Sequence, residues 1–97
     1  MPAYLIANLN VTDPDMFNQY REAVFPLAMA KGGKYLAVDF EPKDMDGQSR
    51  QGLAIVEFES VQAAEDFYNS PDYQKVVGLR LGSTEGWLRI VPELTMP

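Results

Sequence analysis

Apolar residues change their period several times along this chain, and each change marks an element. From Ala3 to Val11 they alternate. Ala3, Leu5, Ala7, Leu9 and Val11 fall on one side of an extended segment, and Tyr4, Ile6, Asn8 and Asn10 on the other. The first side is the better core surface. The second is apolar at one end and polar at the other, as a pocket wall or a subunit contact would be. From Met16 the spacing lengthens to three and four: Met16, Phe17, Tyr20, Ala23, Val24 and Leu27 make a broad helical stripe. Asp13 caps this helix, Pro14 takes its first position, Asp15 adds negative charge near its positive end, and Gly32-Gly33 stops it. Pro26 lies inside the stripe. It removes a hydrogen bond and crowds the preceding turn at a cost of about 3 kcal/mol, so a kink or break is expected near Phe25.

Alternation returns over Lys34–Glu41, where Leu36, Val38 and Phe40 face one way and Tyr35, Ala37, Asp39 and Glu41 the other. Asp39 and Glu41 read as edge charges that discourage unwanted pairing. A polar loop, Pro42–Gln51, follows with Asp46-Gly47 as its turn signal. It is either a solvated connection or a cover over a pocket or partner. Leu53-Ala54-Ile55-Val56 is a short, β-branched run bounded by Gly52, which marks a strand buried on most of its surface. Ser60 then caps a helix that carries Val61, Ala64, Phe67 and Tyr68 on one face. Ser70-Pro71 restarts it as a second helix with Tyr73, Val76 and Val77 inward. Gly82–Gly86 reads as a turn, Trp87–Val91 as the last strand, and Pro92 as a strand end. The tail Glu93–Pro97 is either loose or packed on a neighbour through Leu94 and Met96.

The order is therefore βαββαβ, with the second helix broken. Right-handed crossovers and a central hairpin leave one common α+β solution for a single domain spanning residues 1–97: the ferredoxin-like plait, a four-stranded antiparallel sheet with both helices on one face. The first and third strands would be central. The third is apolar on both sides until Glu57, and the first and fourth add Tyr4, Ile6 and Trp87 to the face the helices leave open. A sheet apolar on both faces needs a second cover, and a twin copy in a two-fold homodimer is the commonest one.

Composition narrows the functions. Eight basic residues against fourteen acidic give a net charge of −6, which argues against nucleic acid and anionic membranes as partners. No stretch of apolar residues is long enough to span a bilayer, and the first residues read as a strand and not a signal peptide. There is no cysteine, so no disulfide forms, which fits a cytoplasmic protein. With histidine absent too, thiolate and imidazole zinc sites, Ser-His triads and imidazole-held haem are excluded, and no metal or cofactor is expected. Acid–base work would fall to Asp, Glu, Tyr, Lys or Arg. The glycines form no phosphate-loop pattern.

Several of these residues also carry a resemblance. The strand ending Glu57-Phe58, the helix with Ala63-Ala64 and the passage Tyr68-x-Ser70-Pro71-x-Tyr73-Gln74 resemble the DUF1330 family of small bacterial proteins, a domain of unknown function in the dimeric α+β barrel superfamily. Asp13-Pro14, Tyr20, Gly32-Gly33 and Arg80 fall where that family has such residues, and the match covers nearly the whole chain. The resemblance implies the plait and a dimer in which two sheets pack face to face. It supplies no reaction. Superfamily relatives include cofactor-free oxygenases and isomerases acting on cyclic metabolites, several of them using a histidine that this chain lacks.

Candidate chemistry gathers at six positions. Glu57 interrupts an apolar run, and a half-buried carboxylate must pair or become protonated; Arg50, Arg80 and Arg89 are available for an ion pair. Arg50 stands at the strand entrance, facing a ligand carboxylate or pairing with Asp39 or Glu57. Tyr20, Tyr35, Tyr68 and Tyr73 are either core or the wall of an apolar cleft, Tyr20 being the one that reads more as core. Arg80 lies seven residues after Tyr73, on the same helical face, where it grips a small anion or ties helix to sheet. Asn8 is a pocket polar group or a satisfied strand-end side chain. The expectation is a homodimer binding a small acidic or aromatic metabolite between sheet and helices; the alternative is a cofactor-independent oxygenase or isomerase in which Tyr or Glu moves protons and Arg steadies an anion.

Overall fold

The computed structural model describes residues 1–95. Its elements run β1 (Ala3–Val11), α1 (Pro14–Ala30), β2 (Lys34–Asp39), β3 (Gly52–Phe58), α2 (Val61–Asn69), α3 (Pro71–Ser83) and β4 (Thr84–Pro92). All strand pairs are antiparallel, in the order β2-β3-β1-β4. The two strands that are apolar on both sides thus occupy the middle. The fold is the expected α+β plait of ferredoxin-like type, with its helices on one face.

The register divides the residues between faces. Leu5 lies between Val56 and Ile90, and Ala7 between Ala54 and Leu88, beneath the helices. Their neighbours point the other way: Ile6 lies between Ile55 and Arg89, and Asn8 between Leu53 and Trp87. The buried cluster under the helices joins Leu5, Leu9, Val56 and Phe58 of the sheet to Phe17, Tyr20 and Val24 of α1, Ala64 and Phe67 of α2, and Tyr73 of α3.

The helix ends form where the side chains provide for them. Asp13 accepts from the Met16 amide at 3.1 Å and Ser60 from the Ala63 amide at 3.0 Å. Ser70 serves two helices: its hydroxyl donates to the Phe67 carbonyl of α2 at 2.8 Å and accepts from the Tyr73 amide of α3 at 3.2 Å. At the end of α1, Gly32 adopts φ +90°, its amide reaches the Met29 carbonyl, and the Gly33 amide reaches that of Ala28. This paired closure needs a residue that tolerates the left-handed region.

Three expectations are corrected. The first helix does not break at Pro26 and runs unbroken from Pro14 to Ala30. The carbonyl deprived of its donor belongs to Glu22, an exposed residue on the solvent side of α1, where water is available as a substitute donor. The second strand stops at Asp39, and a bulge between Tyr35 and Ala37 shifts its alternation. Tyr35 pairs with Val56 and Val38 with Ala54, so these two share the helix-covered side. The expected turn at Gly82–Gly86 is absent: α3 ends at Ser83 and β4 begins at Thr84. Gly86 is a strand residue with φ +149°, lying so close to β1 that a Cβ would strike the Asn8 carbonyl oxygen. In the tail, the Glu93 amide bonds to the Pro2 carbonyl at 2.9 Å and Leu94 is exposed; the expectation for Met96 lies outside the described residues.

Two glycine substitutions test this placement. Gly86→Ala meets backbone that cannot yield, and urea unfolding should show a loss of more than about 2 kcal/mol. Gly78→Ala sits in α3 with nothing within 4 Å of the new methyl, and the same measurement should show a gain of about 0.5–1 kcal/mol.

Candidate functional site

Small residues leave a space in the layer between sheet and helices. Ala7 and Ala54 are neighbours in the ladder, Gly52 follows beside Leu9, and all three lie under the helices. Larger side chains there would fill the layer. Instead a cavity of about 110 Å³ remains, floored by these residues and Val56 and roofed by Phe17, Tyr20 and Val24 of α1. Its wall is apolar apart from Tyr20, Tyr35, Arg21 and Arg80, and includes no carboxylate.

Arg80 enters from α3. Two helical turns separate it from Tyr73, which puts both side chains on the inner face. The Arg80 Nε–H donates to the Tyr73 hydroxyl at 3.2 Å, and the Tyr73 and Tyr20 hydroxyls lie 2.9 Å apart. Arg80 is only 6% exposed and Tyr73 1%. Phe67 and Tyr68 pack against the Tyr73 ring at centroid distances of 5.0 and 5.2 Å and seal it from behind. Among the described residues the ion pair within 4.0 Å is Lys31–Asp72, at the surface; Arg80 has no carboxylate in reach. The protein therefore holds a guanidinium, always charged, in an aromatic surround with no counter-ion.

At the outer end, the Phe25 ring stacks on Tyr35 at 4.2 Å and the Arg21 guanidinium lies over Phe40 at 5.6 Å. Phe25 and Arg21 are exposed, so the cavity's mouth opens between α1 and β2. Burial, and then the neighbouring Tyr73 hydroxyl, push the Tyr20 phenol far above its ordinary range, with Arg80 opposing. Burial, with a smaller effect of Tyr73, pushes the Tyr35 phenol up to about 12.

The six residues singled out from sequence do not converge. Tyr73 and Arg80 meet, and Tyr68 backs them. Asn8 is 5% exposed, but its carboxamide is committed to backbone: Nδ2 donates to the Arg50 and Gly52 carbonyls, and Oδ1 accepts from the Arg50 amide. Its side chain staples the end of the long loop to β1, away from the cavity. Glu57 lies on the open sheet face between Tyr4 and Lys34, and neither it nor Arg50 makes an ion pair among the described residues. Arg50 has a buried Nε without a partner, and its stem passes close to Gly86. The cavity also takes in Tyr20 and Tyr35, both weighed from sequence as possible cleft-lining tyrosines, and Arg21, which sequence reasoning did not single out. Tyr20 sits in an unbroken apolar stripe, and only its pairing with Tyr73 marks it out.

Comparison with known proteins agrees with the fold. The family model described as "Domain of unknown function (DUF1330)" matches residues 2–94. No curated protein matches the chain. A solved protein of unknown function from Rhodopseudomonas palustris is similar at TM-score 0.74 and 20% identity, covering 98% of this chain and 84% of its own. SnoaB, a cofactor-independent oxygenase from Streptomyces nogalater, is similar at TM-score 0.71 and 8% identity, with 98% and 95% covered. A dimeric ferredoxin-like protein of unknown function from Thermobifida fusca is similar at TM-score 0.65 and 13% identity, with 95% and 91% covered. At these identities the likeness is one of fold.

The two raised tyrosines set a pH dependence. A phenol that is harder to ionise folded than unfolded binds more protons in the native state above pH 10, so its contribution is complete below the unfolded pKa of 10.0 and is lost as pH rises beyond it. Stability should fall between pH 10 and about 12. Tyr20→Phe and Tyr35→Phe should each flatten that fall, read from urea midpoints across the range.

Proposed function

The chain belongs to the DUF1330 family, and from that premise we propose that it is a homodimeric binding protein whose cavity takes a small organic acid with an apolar or aromatic body. Arg80 carries this reading. Withdrawing a guanidinium from water costs several kcal/mol unless a partner offsets it, and the described residues supply no carboxylate. A ligand carboxylate seated against Arg80 would be that partner, and the apolar wall would hold the rest of the molecule. At about 110 Å³ the cavity is smaller than the roughly 150 Å³ that holds benzene, so it suits a short chain, or a ring that extends into the mouth beside Arg21 and Phe25. The fixed polar groups around it are arginines and tyrosine hydroxyls, with no carboxylate or imidazole to serve as a base. That composition favours holding an acid over abstracting a proton from it.

The open sheet face supports the homodimer. Ile6, Leu53, Ile55 and Trp87 lie on this face with the cross-strand pair Tyr4 and Val91, half-buried or exposed in one copy. Covering roughly 800 Å² per subunit would be ordinary for a stable pair.

Arg80→Met separates these ideas. Replacing an uncompensated buried charge by an apolar side chain of similar length should raise stability by about 1–4 kcal/mol. The same change should weaken binding of benzoate, used as the probe in titration calorimetry, by at least about tenfold. Benzoate binding unchanged in the variant would remove Arg80 from the site and the reading with it. For the pair, Ile55→Glu places a charge in the proposed contact, and sedimentation should show a single chain where the wild type sediments as two.

A further inference from the structure

The hydrogen bonds of the buried cluster have a direction. Arg80 Nε can only donate, so the Tyr73 oxygen accepts at 3.2 Å. Tyr73 has one proton left to place. Its ring is sealed behind Tyr20, and among the described residues its other hydrogen-bond neighbour is the Tyr20 oxygen at 2.9 Å. If Tyr20 donated to Tyr73, the Tyr73 proton would be buried with no acceptor, a loss that proteins rarely carry. The satisfied arrangement runs Arg80 to Tyr73 to Tyr20. It leaves the Tyr20 hydroxyl proton without a protein acceptor, on a residue that lines the cavity where Tyr73 does not.

We propose that Tyr20 is a second ligand-reading group, a hydroxyl polarised by Arg80 through Tyr73, and that with Arg80 it makes a donor-only site for an oxyanion, so that acids are taken in their ionised form. This rests on the reading of the cavity as a binding site. Arg80 has terminal N–H groups to offer: they make no hydrogen bond with the described residues and are not fully shut off from cavity or solvent, and Tyr20 offers one O–H. A carboxylate, phenolate or enolate presents acceptors only and satisfies both. An amide, alcohol or amine of the same shape brings a donor into a site whose fixed groups already donate, and leaves protons unmatched. The burial that resists ionisation of Tyr20 keeps its proton in place for this role.

The test uses the intact protein and two probes. With benzoate, Tyr20→Phe should weaken binding roughly ten- to a hundredfold, the range of a lost hydrogen bond to a charged group. Tyr73→Phe should weaken it less, because the Tyr20 proton still faces the ligand. A loss in Tyr73→Phe equal to or above that in Tyr20→Phe would reverse the chain and overturn the proposal. The second probe, 4-nitrophenol, needs no variant. Mixed with wild-type protein in buffer below its own pKa, it should turn to the yellow phenolate as it binds, with its bound pKa lowered by about one unit or more. Binding in the colourless, protonated form would also overturn the proposal. The two readings fail apart from each other. If benzoate does not bind wild-type protein at all, the cavity reading is lost. If it binds and depends on Arg80 but not on Tyr20, only the direction of the donor chain is lost.

Discussion

A charged guanidinium held in an apolar layer, with no carboxylate beside it among the described residues, is the constraint around which this small protein is built. Such a group is destabilising where it stands, and its position has to be enforced by the rest of the chain. Enforcement begins at Ser70, whose hydroxyl closes α2 and opens α3. The break lets the second helix leave in a new direction, and that direction brings Tyr73 and Arg80 inward on one face. The far end of α3 is fixed as well. The Ser83 carbonyl accepts from the amides of Thr12 and Asp13 at 2.7 and 3.2 Å, which ties the end of α3 to the start of α1. Tyr20 rides on α1 and Tyr73 on α3, so this joint sets the separation of the two hydroxyls. A 2.9 Å contact between residues on different helices depends on both anchors.

Local chemistry made much of this legible in the sequence. Caps at Asp13, Ser60 and Ser70, the glycine closure after α1 and the two-sided apolarity of β1 and β3 are all decided within a few residues, and each agrees with the structure. The misread segments turn on tertiary context. Pro26 is tolerated because it and Glu22, whose carbonyl it orphans, lie on the exposed side of α1, which depends on how α1 lies on the sheet. The bulge at Leu36 is set by what β3 presents to β2, and it moves Val38 to the cavity side. Gly86 reads as a turn glycine until β1 is seen beside it.

The site divides along the same line. Tyr73 and Arg80 were legible as a pair because a helix alone fixes their alignment. Tyr20 was not, since an aromatic in a helical stripe reads as core until its hydroxyl meets a partner fifty-three residues away. Asn8 shows the reverse. Its place on an apolar strand marked it for chemistry, yet the loop forty-two residues later takes up both donors and the oxygen of its carboxamide. A polar residue is available to a ligand only when backbone has not already claimed it, and that accounting requires the long-range contacts.

Strand period places the cavity and the open face in direct mechanical relation. Ala7 and Ala54 form the floor of one, and their chain neighbours Ile6 and Ile55 form part of the other. Each strand contributes to both surfaces through alternate residues, so neither surface moves without the other. A partner packed on Ile6 and Ile55 would stiffen the floor on which a ligand rests. The small residues that open the cavity also weaken the single copy, because a void forfeits the contacts its wall would otherwise make. A chain of this size has one core to hold it together. Leaving that core partly empty and placing a bare charge at its edge is sustainable when other contacts make up the difference, and the apolar face on the reverse of the same two strands is where such contacts are available.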